Sequence, residues 1–338
     1  MPQKFTIKEI AFQAGLSPAT VDRALHSRAS VRQVTKDRVE AAIAELDRQY
    51  AAARLDGRKF TIDVVIQSPK RFSSAVRQAF EAELPLVRPA SFRMRFHLEE
   101  SMEEREIIAK LYSIARRGSH GIVLKVPATV AIETCLREIG ARGVPIVTYV
   151  TDVAADLRLA YVGMENRKAG ATAAHLLNKM KSPKRSKILL TLSSQTFQGE
   201  EQRRVGFLEY FARRNPTQDI VSVSEGLGVN RTTKTLVLAA LEAHPEIDSV
   251  YSIGGGNRAI LDAFAEARRP IDIFAAHDLD RTNKQLLQDG KLSFVLHHNF
   301  RQDARRVSLL FLKHYRLVPD TIEIEEADIG IAVPLSVQ

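Results

Sequence analysis

From Phe60 onward the chain repeats one pattern: a short apolar run of strand length, then a stretch with helical periodicity. The runs are "IDVVIQS", "GIVLKVPA", "VPIVTYV", "KILLTLSS", "SVYSIGGG", "IDIFAAHD" and "LSFVLHH"; segments such as "SMEEREIIAKLYSIARRG" and "RAILDAFAEARR" lie between them. Runs without polar alternation suit strands covered on both faces, and strands alternating with helices predict parallel sheets clothed by helices. About 280 residues of this pattern is more than one core usually holds, so two similar α/β lobes are expected.

Composition narrows the class. Of 338 residues, 45% are apolar and 26% charged, as in an ordinary globular protein. No apolar stretch approaches the roughly 18 residues of a membrane span. The start, "MPQKFTIKEI", has no apolar run ahead of a cleavage site, so a cytoplasmic location and no membrane partner are expected. The single cysteine, Cys135, cannot build an internal disulfide framework and reads as a buried, inert side chain in a reducing compartment. A net charge of +9 suggests an acidic partner, and the excess is densest at the front, where residues 1–59 hold 11 Lys and Arg against 7 Asp and Glu.

That front segment reads as three helices. Thr6 followed by Glu9 is a capping box, Ile7, Ile10, Ala11 and Ala14 recur at helical spacing, and Gly15 can close the helix in a left-handed turn. Ser17 caps a second helix with Pro18 at its first position, Val21 and Leu25 facing inward and Ala19, Asp22, Arg23 and His26 outward. A third helix is predicted from Thr35, with Val39, Ala42, Ile43 and Leu46 on one stripe. Helix, short turn with glycine, second helix is the helix-turn-helix arrangement, and its second helix has the dimensions of the DNA major groove. A three-helix interaction module has the same spacing.

The string "TIKEIAFQAGLSPATVDRALHSRASVRQVTKDRVEAAIAEL", Thr6 to Leu46, resembles without a gap the headpiece of the lactose-repressor/galactose-repressor (LacI/GalR) family of bacterial transcription regulators, most specifically through "AGLSPATV-x-R". The resemblance implies base reading by the start of the second helix, here Pro18, Ala19 and Arg23. Arg23 can pair bidentately with guanine, Ala19 can pack on a thymine methyl, and Pro18 offers no donor. Ser17, Thr20, Arg28 and Arg32 become candidates for phosphate contacts, and Thr6 joins the DNA-facing set. Asp22 departs from the family, which usually has serine there. In the segment "LDRQYAAARLDGRK", "AAARL" resembles the family's hinge and makes Leu55 the candidate minor-groove wedge, although the usual Tyr-x-Pro-Asn lead-in is absent. The implied organisation is a DNA-binding domain over 1–48, a hinge over 49–59 and an effector-binding and dimerisation core over 60–338. The core would resemble periplasmic sugar-binding proteins, with an N-lobe of about 60–164 plus 299–323 and a C-lobe of about 165–298 plus 324–338.

Ligands of open parallel sheets bind at the carboxyl ends of strands. There, the resemblance places Arg203 and Asp278 in ligand positions and Asn166 near the interlobe crossover, as a hinge or ligand residue. An arginine and an aspartate facing one cleft suit a polyol, the carboxylate accepting from vicinal hydroxyls and the guanidinium donating to oxygens. The same pair could instead be a structural ion pair. Further candidates are Gln67 and Phe72 after the first run, Thr151 and Asp152 after "PIVTYV", Asn257 after the triple glycine, and His298. "GGGN", Gly254 to Asn257, is neither G-x-G-x-x-G nor a P-loop and reads as a close backbone approach, while His297 and His298 should face opposite ways. No Cys/His cluster, H-E-x-x-H or G-x-S-x-G occurs, so no catalytic residue, metal or cofactor is expected. The resemblance thus implies a sequence-specific regulator, most often a repressor of a carbohydrate or polyol utilisation operon, controlled by a small sugar, sugar acid or polyol. It would act on double-stranded operator DNA at the nucleoid as a homodimer that can pair into a tetramer. A sugar-binding receptor or sugar-processing enzyme without DNA-binding role is the alternative.

Overall fold

A computed structural model describes residues 4–26, 31–55, 59–88, 90–182, 186–226, 228, 230–325 and 327–337, with residues 48–55 described by backbone path alone. The N-terminal unit is three helices, α1 (Ile7–Ala14), α2 (Pro18–Leu25) and α3 (Gln33–Leu55). Both halves of the Thr6/Glu9 capping box form, Gly15 closes α1 at φ 62°, and Ser17 Oγ caps α2 with Pro18 at its first position. Phe5, Ile10, Ala11, Ala14, Val21, Val39, Ala42 and Leu46 are buried together as a mini-core. The third helix begins two residues before Thr35 and runs on to Leu55, so residues 49–55, expected as part of the hinge, continue it. The string "QYAAARL" explains this, since Ala, Gln, Arg and Leu all have high helix propensity and no proline intervenes.

The remainder builds two sheets. The first holds β1 (Lys59–Gln67), β2 (Ser91–Glu99), β3 (Ile122–Lys125), β4 (Ile146–Tyr149) and β5 (Ala160–Val162) in the order β2-β1-β3-β4-β5, all parallel. Helices α4 (Lys70–Glu83), α5 (Glu104–Arg116) and α6 (Val130–Ala141) connect its strands. Cys135 is buried on α6. The second sheet comprises β6 (Lys187–Thr191), β7 (Ile220–Val223), β8 (Ile247–Ser252), β9 (Ile273–His277), β10 (Phe294–His297) and β11 (Gly330–Ala332), in the order β11-β10-β9-β8-β6-β7. Its helices are α7 (Asn166–Met180), α8 (Gln198–Arg214), α9 (Asn230–Ala243), α10 (Asn257–Glu266) and α11 (Arg281–Gln288). After β10 the chain returns to the first lobe as α12 (Phe300–His314), whose Ala304, Val307 and Phe311 join the core under β1, and then comes back as β11. The sheets are parallel as expected except at one edge, where β11 pairs antiparallel to β10. A terminal strand that returns along the sheet edge needs no crossover helix, so nothing forces it to run parallel.

In both sheets the strand order reverses near the middle, between β1 and β3 and between β6 and β8. These switch points leave a crevice at the carboxyl ends of the strands.

Candidate functional site

The two crevices face each other across one cleft lined by residues of both lobes. The first lobe contributes Gln67 and Ser68 from the end of β1, Arg71 and Phe72 from the first turn of α4, Lys125 from the last position of β3, and Val150 and Thr151 after β4. The second supplies Ser193 after β6, Phe197, Glu200 and Arg203 at and within α8, Ile253 and Gly254 after β8, His277 at the last position of β9, and Asp278 and Asp280 after it.

Each charged group is positioned by a specific contact. Arg203, 3% exposed, gives its Nε to Asn166 Oδ1 at 2.8 Å, and Asn166 is anchored in turn by donating to Tyr161 Oη at 2.9 Å. Asp278 adopts φ 65° just past β9, which turns its carboxylate out of the strand line into the cleft. Burial acts to raise the pKa of Asp278, but His298 at 3.6 Å, Arg203 and His277 outweigh it and hold the carboxyl well below the usual range. His298 is itself opposed by burial, yet Asp278 and Asp303 push it up to about 9, so it is an imidazolium at neutral pH. Burial keeps His277 neutral, with Nε2 2.7 Å from Tyr251 Oη. Both oxygens of Glu200 are taken by Ser193, from N at 2.7 Å and Oγ at 2.5 Å. Arg71 Nε reaches Asp280 Oδ2 at 3.0 Å across the cleft.

Four buried polar atoms facing the cleft have no hydrogen-bond partner in the protein: Gln67 Oε1, Ser68 Oγ, His277 Nδ1 and Asp278 Oδ1. Unpaired buried polar atoms are costly and rare, and their convergence marks a place shaped for a polar ligand. Phe72 and Phe197 supply apolar faces beside them.

Of the residues expected from sequence at the cleft, Gln67, Phe72, Thr151, Arg203 and Asp278 line it, and Arg203 and Asp278 do not form the direct ion pair. Four of the expected residues do not line the cleft. Asn166 is buried behind the cleft as the support of Arg203. Asp152 is turned away, accepting from Thr148 Oγ1 at 2.6 Å and pairing with Arg158 at 2.6 Å. Asn257 donates to Asn283 Oδ1 at 2.7 Å and lines a separate cavity at the mouth. His298 lies under Asp278, bonded to Asp303. Sequence reading missed Lys125, Arg71, Glu200, His277 and Asp280. A lone lysine inside the apolar run "GIVLKVPA" was a usable signal; Arg71, Glu200 and Asp280 lie at helix starts and His277 at the end of β9, and their facing depends on the lobe arrangement.

In the N-terminal unit Ser17, Pro18, Ala19 and Arg23 are exposed on the start and outer side of α2, with Thr20 half-buried and Arg32 exposed just before α3. Thr6 is engaged in the capping box, and Ser17 Oγ lies 2.8 Å from Thr20 Oγ1. Arg28 and the Leu55 side chain lie outside the described residues. Among the described residues no group of three His, Cys, Asp or Glu could hold a metal, and no helix is long and apolar enough to cross a membrane.

Two parallel-sheet lobes closing on a polar cleft, behind a helix-turn-helix unit, define a ligand-binding core fused to a DNA-binding type of headpiece. Residues 100–309 match the periplasmic binding protein domain family, and residues 6–49 match the bacterial regulatory proteins of the lacI family. The chain belongs to the periplasmic binding protein domain family and carries a lacI-family headpiece at its front. It is 30% identical over 177 residues to the HTH-type transcriptional regulator GntR of Pseudomonas aeruginosa, a match that takes in 51% of this chain and 50% of that one. The chain thus spans about half the length of this curated relative. Among solved structures, the glucose-galactose binding protein GanP of Geobacillus stearothermophilus superposes with a TM-score of 0.71 at 16% identity, covering 82% of this chain and 98% of that one. A putative LacI transcriptional regulator from Bacteroides fragilis gives 0.70 at 14%, with the same coverage. At such identities these likenesses establish the fold of the core.

Proposed function

We propose that this protein is an effector-responsive transcription regulator, a repressor of carbohydrate or polyol utilisation genes. A small hydroxylated molecule in the interlobe cleft alters its grip on operator DNA. The observation that carries the reading is the presence in one chain of an exposed α2 face with Arg23 on it and a cleft lined by Gln67, Ser68 and His277, each with a buried polar atom that lacks a hydrogen-bond partner, and by the Asp278 carboxylate. Arg23 reads a guanine and Ala19 a thymine methyl, while Ser17, Thr20, Arg28 and Arg32 hold phosphates. In the cleft Asp278 accepts from hydroxyls, Arg203 donates, and Gln67, Phe72 and Thr151 complete the wall. One headpiece makes few contacts, so a homodimer on a pseudo-palindromic operator supplies the affinity through effective concentration. The cleft binds rather than catalyses, and the protein works in the bacterial cytoplasm.

The test is a gel-shift titration with the gene's own upstream DNA at several salt concentrations. Specific, salt-dependent binding is expected, and Arg23→Ala should lose about 1–3 kcal/mol and relax one base position. Asp278→Ala should bind the same DNA but no longer respond to effector. No preference for any promoter fragment over random duplex would refute the reading.

A further inference from the structure

Beside the cleft lies a second cavity, formed where the first turns of α9, α10 and α11 in one lobe meet the start of α4 in the other. Lys70, Arg71, Arg231 and Arg258 line it, with Glu100 as the one carboxylate among the lining residues. Arg71 is matched by Asp280 at 3.0 Å, and Glu100 accepts from the Lys70 backbone N at 3.0 Å. With Asp280 included, four cations stand against two carboxylates. Among the described residues no carboxylate pairs with the side chains of Lys70, Arg231 or Arg258.

The triple glycine adds to this field. A Cβ on Gly255, at φ 86°, would lie 1.8 Å from Arg71 Nη2, so the missing side chain lets a guanidinium of one lobe rest on the loop that leads into α10 of the other. Gly256 is the N-cap of α10 and has no side chain to offer its first amides. A cation therefore stands near an uncapped helix N-terminus, which is itself partly positive, and an anion between them would satisfy both.

A second, independent observation specifies the anion. Asn257, the first residue of α10, lines the cavity and is 4% exposed. Asn283 Nδ2 donates to the carbonyls of His277 at 2.8 Å and Asp278 at 2.7 Å, so the Asn283 acceptor is the end that meets Asn257. Asn257 accordingly spends Nδ2 on Asn283 Oδ1 at 2.7 Å, and its own Oδ1 is left buried with no partner in the protein. A cationic cavity with an unmet acceptor calls for a ligand that is an anion and a hydrogen-bond donor at once.

We infer that this cavity is a site for hydrogen phosphate, separate from the effector cleft, in which the P–OH donates to Asn257 Oδ1 while Arg231, Arg258 and the first amides of α10 hold the ionised oxygens. Charge-assisted bonds to guanidinium groups suit a tetrahedral oxyanion. The proton selects among such anions. Inorganic phosphate keeps one at neutral and mildly alkaline pH, sulfate of the same shape and charge has none, and a phosphate monoester loses its last with a pKa of about 6.

The test is calorimetric titration of the full chain, in a chloride buffer at about pH 8, with inorganic phosphate, sulfate and methyl phosphate, the last two being unprotonated there. Phosphate is expected to bind at least about tenfold more tightly than either of the others, because each of them turns a bare anionic oxygen toward Asn257 Oδ1. The double variant Arg231→Ala with Arg258→Ala should lose at least about tenfold in phosphate affinity. Its ligand-free melting temperature should stay that of the wild type, since both side chains are exposed and unpaired. No phosphate binding, sulfate or methyl phosphate bound as tightly as phosphate, or an unchanged phosphate affinity in the double variant would each overturn the inference.

Discussion

His298 shows how one buried side chain sets the charge of the cleft floor. Alone in an apolar site it would be neutral, since burial lowers its pKa, but Asp278 on one side and Asp303 on the other push it up to about 9 from an ordinary 6.5. A group whose folded pKa is raised contributes stability that is fully present below its unfolded pKa and is lost as pH rises through the folded one. The His298 contribution should therefore be complete below about pH 6.5 and disappear by roughly pH 9. Urea midpoints of the wild type and His298→Gln, taken at intervals across that window, should converge as pH rises. Parallel curves would show that the imidazolium is not what the two carboxylates hold. At this scale the sequence was a partial guide: it marks Arg203 and Asp278 by position after a strand, but a histidine's role depends on which carboxylates fold against it, and Asp303 comes from α12 of the other lobe.

Elements fix where those side chains can stand. Helices α7 and α8 touch backbone to backbone: a Cβ on Gly170 would lie 1.9 Å from the Arg203 carbonyl oxygen, and one on Gly206 would lie 2.0 Å from that of Arg167. This reciprocal contact holds Asn166 at the start of α7 beside Arg203 on α8, where the 2.8 Å bond aims the guanidinium. Gly170→Ala must push the helices apart. It should destabilise the fold by about 1–3 kcal/mol and weaken effector binding as well, because Arg203 moves with α8. A fall in the chemical-denaturation midpoint without any change in effector affinity would uncouple the crossing from the site. The elements also show what a sequence can display. All seven apolar runs became strands, whereas β2, β5, β7 and β11 went unread, and these four are the sheet edges. An edge strand has less of its surface covered and alternates polar with apolar residues, as in "SFRMRFHLE", where Phe92, Met94, Phe96 and Leu98 face the core while Arg95 and His97 bind Asp63. Its signal is diluted by the same exposure that makes it an edge.

For the whole molecule the question is what decides between an open and a closed cleft. The lobes are joined by chain crossings before α7, before α12 and before β11, and across the cleft by polar contacts. Gly199 N donates to Thr151 Oγ1 at 3.1 Å, Ala128 N to Thr196 O at 3.2 Å, and Arg71 pairs with Asp280. The first lies beside Asn166 at the start of α7, whereas Arg71 at the start of α4 and Asp280 at the N-cap of α11 join the two lobes across the cleft, so their ion pair acts as a latch on closure. An effector shifts a two-state equilibrium only by its differential affinity for the states, and whatever factor it imposes on operator affinity the operator imposes on effector affinity. The latch stabilises closure before effector arrives, so cutting it should act opposite to the effector. Arg71→Ala and Asp280→Ala should each weaken effector binding, and the double variant should lose little more than either alone, because the pair fails when one partner is gone. In the ligand-free state both variants should change operator affinity in the direction opposite to the change effector causes in the wild type, whether that effector releases DNA or tightens the grip on it. Additive losses in the double variant, or a ligand-free shift of the same sign as the effector's, would mean that these two residues touch the ligand separately and that closure is governed elsewhere.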